Sequence, residues 1–317
     1  MQKRGVEHVR IGAAQQGRRL DNFLTSHFGG IPKSRVYQMI RKGEVRVNGG
    51  RTSPDYRLED DDDIRLPPVT APDPERAGEV NIPTRLLEQL RVSILHEDAA
   101  LLVVDKPAGI PVHSGSGQAY GIIDIMRKLY PGDTALQLVH RLDRDTSGCL
   151  LIARTHPRLR ELHDQFRDGV IRKRYTALLK GNLKQPEIRV EVPLDREARV
   201  HGERTVRADE EGMESKSRFR VLRQLPGATL VSVSIATGRT HQIRVHAQYM
   251  EHPVAGDDRY GNREFNRRMR RSGLKRIFLH AANIAIPRRP GPDLALEAPL
   301  PEDLQRALAR LGGTPEP

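Results

Sequence analysis

The stretch LVHRLDRDTSGCLLIA, residues 138–153, places four charged side chains between two apolar segments that have the pattern of strands. A buried carboxylate is costly without a cation, which Arg141, Arg144 or an arginine from elsewhere in the chain can supply to Asp143. An ionised, partly desolvated carboxylate at the end of a strand suits nucleophilic or base catalysis. From charge alone, a structural ion-pair corner explains the cluster equally well.

Residues 171–175, IRKRY, place an aromatic side chain directly after three cationic ones. A base can stack on Tyr175 in such a segment while phosphates meet the neighbouring Lys173 and Arg174. A core tyrosine with a solvated hydroxyl is the plainer interpretation of this segment on its own. The segment therefore indicates a nucleic-acid site only together with the other polar clusters.

TGRTHQIRVHA, residues 237–247, forms the third polar cluster. A glycine turn opens a helix on which His241, Arg244 and Gln248 share one face. A zinc-binding helix would carry two histidines four residues apart with a glutamate between them, whereas His241 and His246 are five apart. The helix therefore offers polar side chains to a site but is not typical of a metal site.

Short apolar segments surround these clusters and predict the fold class. Strand-like segments outnumber helical ones and do not strictly alternate with them, which favours an α+β fold, a mixed and largely antiparallel sheet with packed helices, over a doubly wound parallel sheet. The predicted strands are 93–96, 101–104, 149–153, 175–179, 188–192 and 230–235, and the predicted helices are 122–129, 157–167, 241–249 and 302–311.

The first 58 residues are far more basic than the rest of the chain. They hold 12 basic and 4 acidic side chains, so 8 of the 12 net positive charges of the whole chain lie there. The apolar spacing predicts two short amphipathic helices followed by a strand that enters an Asn-Gly turn. Arg35, Arg41 and Lys42 lie away from the apolar positions of the second helix. This order predicts an RNA-binding module, with a merely solvated basic face as the alternative.

A proline-rich polar stretch separates this module from the rest of the chain. Five prolines, at positions 67, 68, 72, 74 and 83, exclude a central strand or a continuous helix there. We therefore predict a small domain at residues 1–66, a linker at 67–90 and a second domain at 91–317.

Composition excludes several classes of protein. The longest apolar run, residues 99–104, is far shorter than the roughly 18 to 20 residues of a membrane span. The basic amino terminus also lacks the apolar stretch of a signal sequence, so we expect a cytoplasmic protein without a membrane partner. A single cysteine, Cys149, excludes an intramolecular disulfide and a multi-cysteine zinc site. The net charge of +12, with 7 Tyr, 6 Phe and no Trp, indicates a nucleic acid held mainly through its phosphates.

Two parts of the chain resemble known families. Residues 17–66, from GRRLDNFL to DDDDIRL, resemble an S4 RNA-binding domain over nearly its whole length. HRLDRDTSGCLLIA, residues 140–153, resembles the catalytic motif of the RluA-type pseudouridine synthases. The resemblance extends to ILHEDAALLVVDKPAGIPVHSGSG (94–117), KRYTALLKG (173–181), TGRTHQIRVHAQYMEHPVAGDDRYG (237–261) and IFLHAA (277–282).

The resemblance implies a pseudouridine synthase fold, with a bent sheet, preceded by a small S4-like (α-L) domain. It implies that the chain isomerises uridine to pseudouridine in large-subunit (23S) ribosomal RNA or its assembly precursor particle. No cofactor, metal or obligate protein partner is expected. By the same resemblance, Asp143 is the catalytic aspartate, Tyr175 the active-site tyrosine and Arg244 the partner of that aspartate. Arg141 is the arginine that enters the space left by the displaced base.

The residues expected to contact RNA lie in both domains. In the second domain they are His140, Arg141, Lys173, Arg174, Arg239 and His241, and in the S4-like domain they are Lys33, Arg35, Arg41, Lys42 and Arg46.

Two functions of other classes stay open at this point. A non-catalytic RNA-binding or ribosome-assembly protein would need only the S4-like module. A hydrolytic RNA N-glycosidase could use Asp143 and Asp145, which on a strand would lie about 6.6 Å apart on one face, although Thr146-Ser147-Gly148 argues for a loop. The products separate the three, because an isomerase leaves the RNA mass unchanged, a glycosidase releases uracil and a chaperone does neither.

Overall fold

The chain divides into two compact units in the computed structural model, Met1–Asn81 and Ile82–Pro317. Each unit has a hydrophobic core of its own. The structure describes residues 5–12, 15–28, 31, 33–68, 81–114, 119–195, 198–200, 203–288 and 290–312. Within these residues, no helix is long and apolar enough to cross a membrane.

The first unit packs two helices against a small antiparallel sheet. Its elements are β1 (Glu7–Arg10), α1 (Leu20–Phe28), α2 (Lys33–Arg41), β2 (Arg46–Val47) and β3 (Asp63–Leu66), with β3 between the other two strands. Leu20 of α1 and Val36 and Met39 of α2 are fully buried with Ile64 of β3. The two helices predicted from the apolar spacing are therefore confirmed. Asn48 follows β2 with a φ of 49°, the left-handed conformation that an Asn-Gly turn requires.

Helix α3 (Thr84–Val92) occupies the end of the stretch that its prolines predicted as a linker. Pro83 lies directly before the helix, where a missing N–H breaks no helical hydrogen bond, and Leu90 is buried in the core of the second unit. The linker prediction is therefore wrong from residue 84 onward, because the last proline marks the start of a helix. The stretch 69–80 lies outside the described residues, and its interpretation as a linker stays a prediction.

The second unit is built around a large mixed sheet. Its strands are β4 (Ile94–Glu97), β5 (Leu101–Lys106), β6 (Gln137–Leu138), β7 (Ser147–Ala153), β8 (Arg172–Lys180), β9 (Glu187–Val190), β10 (Ala198–Val200), β11 (Glu203–Thr205), β12 (Ser217–Leu225), β13 (Ala228–Ile235), β14 (Leu279–Ile286) and β15 (Leu294–Glu297). After α3 its helices are α4 (Ile122–Leu129), α5 (His156–Arg167), α6 (Gln242–Tyr249), α7 (Arg263–Arg271) and α8 (Glu302–Arg310).

The strand order confirms the predicted α+β fold. Across the sheet the strands follow the order β4, β5, β7, β14, β8, β13, β12 and β9, while β15 pairs with β14 and β6 with β7. Strands β10 and β11 form a separate antiparallel pair. Among the described strands, β7 and β14 are parallel and every other pair is antiparallel.

Close packing between the backbones of β7 and β14 fixes the start of β7. It thereby also fixes the position of the polar residues that precede β7. Gly148 has a φ of 110°, and a Cβ at this position would overlap the backbone of Ala281 on β14, so glycine is required for the two strands to pair. Every residue of β7 is buried, which explains the apolar run after Gly148. The residues before β7 form a turn, in which the N–H of Thr146 donates to the carbonyl of Asp143.

The hydrophobic pattern misses the elements in which arginines are frequent. Strand β12 alternates arginine with buried residues at its start, and α7 has five arginines among its nine residues, so neither has the apolar density that predicted the other elements. Helix α6 begins one residue later than predicted, because His241 has a left-handed backbone with a φ of 55°. The first turn of α6 therefore starts at Gln242, and His241 caps it.

Candidate active site

The three polar clusters of the sequence meet in one cavity of about 490 Å³. The turn before β7 contributes Asp143, β8 contributes Tyr175, and the first turn of α6 contributes Arg244. A cavity of this size lies within the range of small-molecule sites. The other predicted site residues that line it are His140, Arg141, Lys173, Arg239 and His241.

The Asp143 carboxylate has two partners, and neither is a neighbour in sequence. Arg244 Nη1 lies 3.3 Å from Asp143 Oδ2, and His241 Nε2 lies 3.8 Å from the same oxygen. Arg144 pairs with Asp145 at 3.1 Å, and Asp145 does not line the cavity. The cation that compensates Asp143 therefore comes from α6, the arginine from elsewhere in the chain that the sequence left open.

A buried carboxylate, Asp257, holds Arg244 in turn. Arg244 Nε donates to Asp257 Oδ2 at 2.7 Å and Nη2 donates to Oδ1 at 2.8 Å, which leaves Nη1 for Asp143. Burial alone would raise the pKa of the Asp257 carboxyl, but the Arg244 guanidinium and the backbone N–H groups of Tyr260 and Arg259 outweigh it and hold that pKa below its usual value. Asp257 therefore stays ionised and fixes the plane of the guanidinium.

The hydrogen bonds of Tyr260 favour one of the two neutral forms of His241. The backbone N–H of Val206 donates to the Tyr260 hydroxyl oxygen at 3.0 Å, and that hydroxyl lies 2.9 Å from His241 Nδ1. With one lone pair of this oxygen occupied by the backbone N–H, we infer that its own proton goes to Nδ1, which leaves the proton of the neutral ring on Nε2, facing Asp143. Burial lowers the pKa of His241, which favours this neutral form. The left-handed backbone of His241, uncommon for a residue with a side chain, accompanies this placement.

Strand alternation separates the cations of the segment 171–175. Lys173 and Tyr175 line the cavity, whereas Arg174 is exposed and lines only a second surface depression, to which Lys173 also contributes. Successive side chains of a strand point to opposite faces, so only Lys173 of these two cations reaches the cavity, and the prediction that both contact RNA stays a prediction. Burial, with the charge of Asp143, raises the pKa of Tyr175, so its hydroxyl stays neutral. Burial lowers the pKa of Lys173 to about 8.

The predicted RNA contacts His140, Arg141 and Arg239 differ in what they can offer a ligand. The backbone N–H of Leu151 donates to His140 Nε2 at 3.1 Å, and burial lowers the pKa of His140 to about 3. His140 is therefore neutral near pH 7, and its place among the RNA-binding residues stays a prediction. Arg141 is exposed, and Arg239 is half-buried with its Nε donating to the carbonyl of Glu214 at 3.2 Å.

The buried side chain of Gln242 holds the loop before α6, a role that its position in the motif did not reveal. Its Oε1 accepts from the N–H of Arg239 at 3.0 Å and from the Thr237 hydroxyl at 2.8 Å, while its Nε2 donates to the carbonyl of Lys216 at 3.0 Å. His246 lies inside the same core, with both ring nitrogens within 2.9 Å of serine hydroxyls. The contacts of His246 thus agree with the conclusion from spacing that this helix is not a zinc motif.

Known proteins match the residues that build this cavity. The family model described as RNA pseudouridylate synthase matches residues 100–249, and the S4 domain model matches residues 18–64. Ribosomal large subunit pseudouridine synthase C of Escherichia coli strain K12 is 46% identical over 310 residues, which cover 96% of this chain and 97% of the relative. This chain belongs to the RNA pseudouridylate synthase family.

Two further proteins that are similar to this synthase support the same family. The protein of the same name from Haemophilus ducreyi is 43% identical over 307 residues, 96% of either chain. The solved structure of human RNA Pseudouridylate Synthase Domain Containing 4 covers 72% of this chain with a TM-score of 0.60 and 26% identity, and 96% of the human chain is covered. The family and the S4 domain predicted from the motifs are therefore confirmed.

A buried lysine, Lys106 at the end of β5, holds the turn of the synthase that carries Asp143. Its Nζ donates to the carbonyls of Pro107 and Ile110 at 2.8 Å each and to the carbonyl of Arg144 at 2.9 Å. These three acceptors match the three N–H bonds of an ammonium group, although burial lowers the pKa of Lys106 to about 7. The signal in the sequence was a lysine that closes the apolar strand LLVVDK, which is a costly place for an unpaired charge.

The predicted RNA contacts of the S4 domain of the synthase are not equally available. Arg41 and Lys42 are exposed at the end of α2, and within the described part of the chain neither makes an ion pair. Arg35 is ion-paired at 3.1 Å, and Arg46 donates to the carbonyls of its own turn. The side chain of Lys33 lies outside the described residues. Arg41 and Lys42 are thus the two cations best placed to meet a phosphate.

Proposed function

We propose that this synthase isomerises uridine to pseudouridine in large-subunit ribosomal RNA. The observation that carries the proposal is the Asp143 carboxylate, which lies in the cavity with Tyr175 and is paired with Arg244. Two relatives that match over 96% of the chain are named as synthases of the ribosomal large subunit. The proposal includes a cytoplasmic location, because bacterial ribosomes assemble there.

The reaction exchanges one bond of the nucleotide for another. The N1–C1′ bond breaks, the uracil turns within the cavity, a C5–C1′ bond forms, and the C5 proton leaves while N1 gains a proton. Asp143 acts on the sugar, by attack at C1′ or by removal of the proton at C2′. Because C1′ and C5 are inaccessible in a stacked helix, the target nucleotide must be flipped out first.

Each residue of the cavity has a separate task in this proposal. Arg244 orients Asp143, and the Nε2–H of His241 faces the same carboxylate oxygen. Tyr175 stacks on the uracil, and its raised pKa keeps the hydroxyl protonated, which makes it a poor base for the C5 proton. Arg141, which is exposed at the cavity, enters the space that the flipped base leaves.

The two units have different functions in this proposal. We propose that residues 1–66 form the S4 domain and hold the RNA through its phosphates, and that the catalytic domain begins at α3 and continues to residue 317. Ribosomal RNA, naked or in an assembly precursor particle, is the substrate, and no protein partner is required. An RNA N-glycosidase that uses Asp143 with Asp145 is disfavoured, because Asp145 lies outside the cavity in an ion pair with Arg144.

A strain that lacks the gene tests this function. Mapping of its large-subunit ribosomal RNA should show at least one uridine that is pseudouridine in the parent strain, and the purified protein should restore the modification in vitro. Free uracil released from the treated RNA would indicate a glycosidase. Identical modification maps in the two strains, with no pseudouridine formed in vitro, would contradict the proposal.

The double variant R41Q/K42Q tests the RNA contact of the S4 domain. Loss of two phosphate contacts should raise KM for ribosomal RNA and make the slope of log affinity against log salt shallower by about 1.4 to 1.8, because fewer counterions are released. The value of kcat at saturating RNA should stay unchanged. The control R10Q/R57Q removes two exposed arginines that lie outside α2. Equal effects of the two variants would mean that general charge, and not this end of α2, holds the RNA.

Replacement of Tyr260 by phenylalanine tests the proton assignment of His241. The variant removes the O–H that donates to His241 Nδ1 and the oxygen that accepts from Val206. With the tautomer no longer fixed, kcat should fall about fivefold while KM for RNA stays unchanged, since one hydrogen bond contributes about 1 kcal/mol. Tyr249→Phe, at a tyrosine that is 59% exposed, is the matched control and should keep parental kinetics. A Tyr260 variant with parental kcat would contradict the assignment.

A further inference from the structure

Helix α7 is far more basic than the fold requires. Its nine residues, REFNRRMRR, include five arginines and one glutamate. Phe265, Asn266 and Met269 are the buried residues that anchor it to the second unit. The arginines therefore occupy the outer surface of the helix and do not form its core contacts.

Two of these arginines serve the fold. Arg268 lies over the Phe265 ring with its guanidinium carbon 5.3 Å from the ring centre, and it donates to the carbonyl of Gly227. Arg270 pairs with Asp258 at 2.9 Å. Both side chains thus have partners within the second unit.

The other three, Arg263, Arg267 and Arg271, form what we call the arginine stripe. They are exposed, and within the described residues none of them makes an ion pair or a hydrogen bond. Their spacing of four residues places them on one face of α7, about 6 Å apart along its axis. The stripe is therefore a row of unneutralised positive charges along one side of the helix.

The three positive charges of the arginine stripe destabilise α7 by electrostatic repulsion. Like charges four residues apart repel one another, and Arg263 lies in the first turn, where the helix dipole disfavours a cation. Glu264 is the one acidic side chain of α7, and it pairs with no member of the stripe. A linear polyanion along the stripe would remove the repulsion, and a nucleic-acid backbone is such a polyanion.

A recess of about 480 Å³ lies beside the stripe and has the same charge. Lys180, Arg267, Arg268 and Arg271 contribute to its wall against the single carboxylate of Glu264. A phosphate that follows the stripe would thus meet two further cations beside α7, Lys180 and Arg268.

Helix α7 packs with Leu178 on the face of the sheet opposite to that of Tyr175, and a short segment of chain joins it to the residues that support the cavity. Arg263 is three residues after Tyr260, whose hydroxyl contacts His241, so their Cα atoms are at most about 11 Å apart. Helix α7 extends the stripe by about 12 Å further to Arg271. A structured RNA whose target uridine lies in the cavity is larger than this distance.

We propose that the arginine stripe of α7 binds the phosphate backbone of the substrate RNA outside the target nucleotide. The proposal rests on the proposed function, since it takes RNA as the substrate. In this proposal the stripe contributes to the affinity for RNA and takes no part in the isomerisation step. The stripe also lies beyond residues 100–249, the part of the chain that the synthase family model matches.

The triple variant R263Q/R267Q/R271Q in the full chain tests the proposal. KM and binding affinity for large-subunit ribosomal RNA are measured from 50 to 200 mM salt, with kcat at saturating RNA. Raising the salt from 50 to 200 mM weakens the RNA affinity of the parent. Without three phosphate contacts, the variant should weaken about 20- to 40-fold less over this range, and its kcat should stay unchanged. The control R85Q/R91Q/R160Q removes three exposed helical arginines elsewhere and should keep the parental salt dependence. R263K/R267K/R271K keeps the charge and should restore the parental slope.

Three results would overturn the proposal. Parental affinity and salt slope in the glutamine variant would exclude RNA binding at the stripe. An equal effect in the R85Q/R91Q/R160Q control would show that the position of the charges is irrelevant. A fall in kcat with unchanged salt slope would show that the stripe supports the active site. A parent protein that binds this RNA but forms no pseudouridine would contradict the proposed function alone, because the binding measurement does not depend on turnover.

Discussion

Replacement of Asp143 by asparagine should lower turnover by about four orders of magnitude or more and leave RNA binding largely intact. The amide keeps the size of the carboxylate, but it is neither a nucleophile toward C1′ nor a base toward the proton at C2′. RNA affinity comes mainly from phosphate contacts, which the substitution does not touch. The measurement is the single-turnover rate of pseudouridine formation at saturating RNA, with the Kd for the same RNA determined separately.

Asp145→Asn is the matched control for Asp143→Asn. Asp145 is two residues away, pairs with Arg144 at 3.1 Å and does not line the cavity, so its loss should change the rate by less than about threefold. Appreciable isomerisation by the Asp143 variant would contradict its assignment. Inactivity of both variants would favour a mechanism that needs two carboxylates.

Asp257→Asn should damage both the stability and the activity of the enzyme. The Asp257 carboxylate is buried and pairs with Arg244 through two hydrogen bonds, so the substitution leaves the guanidinium without its main counter-charge. Breaking a buried ion pair of this kind costs about 3 to 5 kcal/mol. The freed guanidinium would then turn toward Asp143 in a less defined plane, and we expect kcat to fall about a hundredfold or more.

Asp258→Asn controls for this substitution, because Asp258 is the next residue and its side chain is 79% exposed in a pair with Arg270. We expect its thermal stability and kcat to remain parental. Arg244→Lys separates orientation from charge, since lysine keeps the positive charge but has no planar fork for two carboxylates. The lysine variant should fold, bind RNA and lose most of its kcat. Parental kcat in the Asp257 variant or in the lysine variant would show that Asp143 needs no oriented guanidinium.

The helices and strands could be predicted where the hydrophobic pattern of the local sequence matches the burial of the element. The apolar run after Gly148 had to be a buried strand, and the spacing of Leu20, Val36 and Met39 had to give two helices. Arginine-rich elements were missed, because an element that packs through few residues has little hydrophobic pattern. Helix α7, anchored by Phe265 and Met269, shows this limit.

The sequence predicted the residues that line the candidate site, but it did not predict the residues that hold them in position. The motifs single out Asp143, Tyr175 and Arg244, and the fold brings all three to one cavity. Asp257 is 114 positions from Asp143 in the sequence, and nothing in its local pattern states that it faces Arg244. Lys106 likewise meets the carbonyl of Arg144 through tertiary contact alone. Pairings at such separations depend on the strand order, which local sequence does not encode.

Release of the C5 hydrogen tests the central claim most directly. Purified protein is incubated with ribosomal RNA that carries tritium at C5 of uridine, and both tritiated water and pseudouridine are counted. Isomerisation at Asp143 predicts one tritium released to water for each pseudouridine formed, with no free uracil, and neither product from the Asp143→Asn variant. Labelled uracil in solution, or tritium release that persists in the Asp143→Asn variant, would contradict the account.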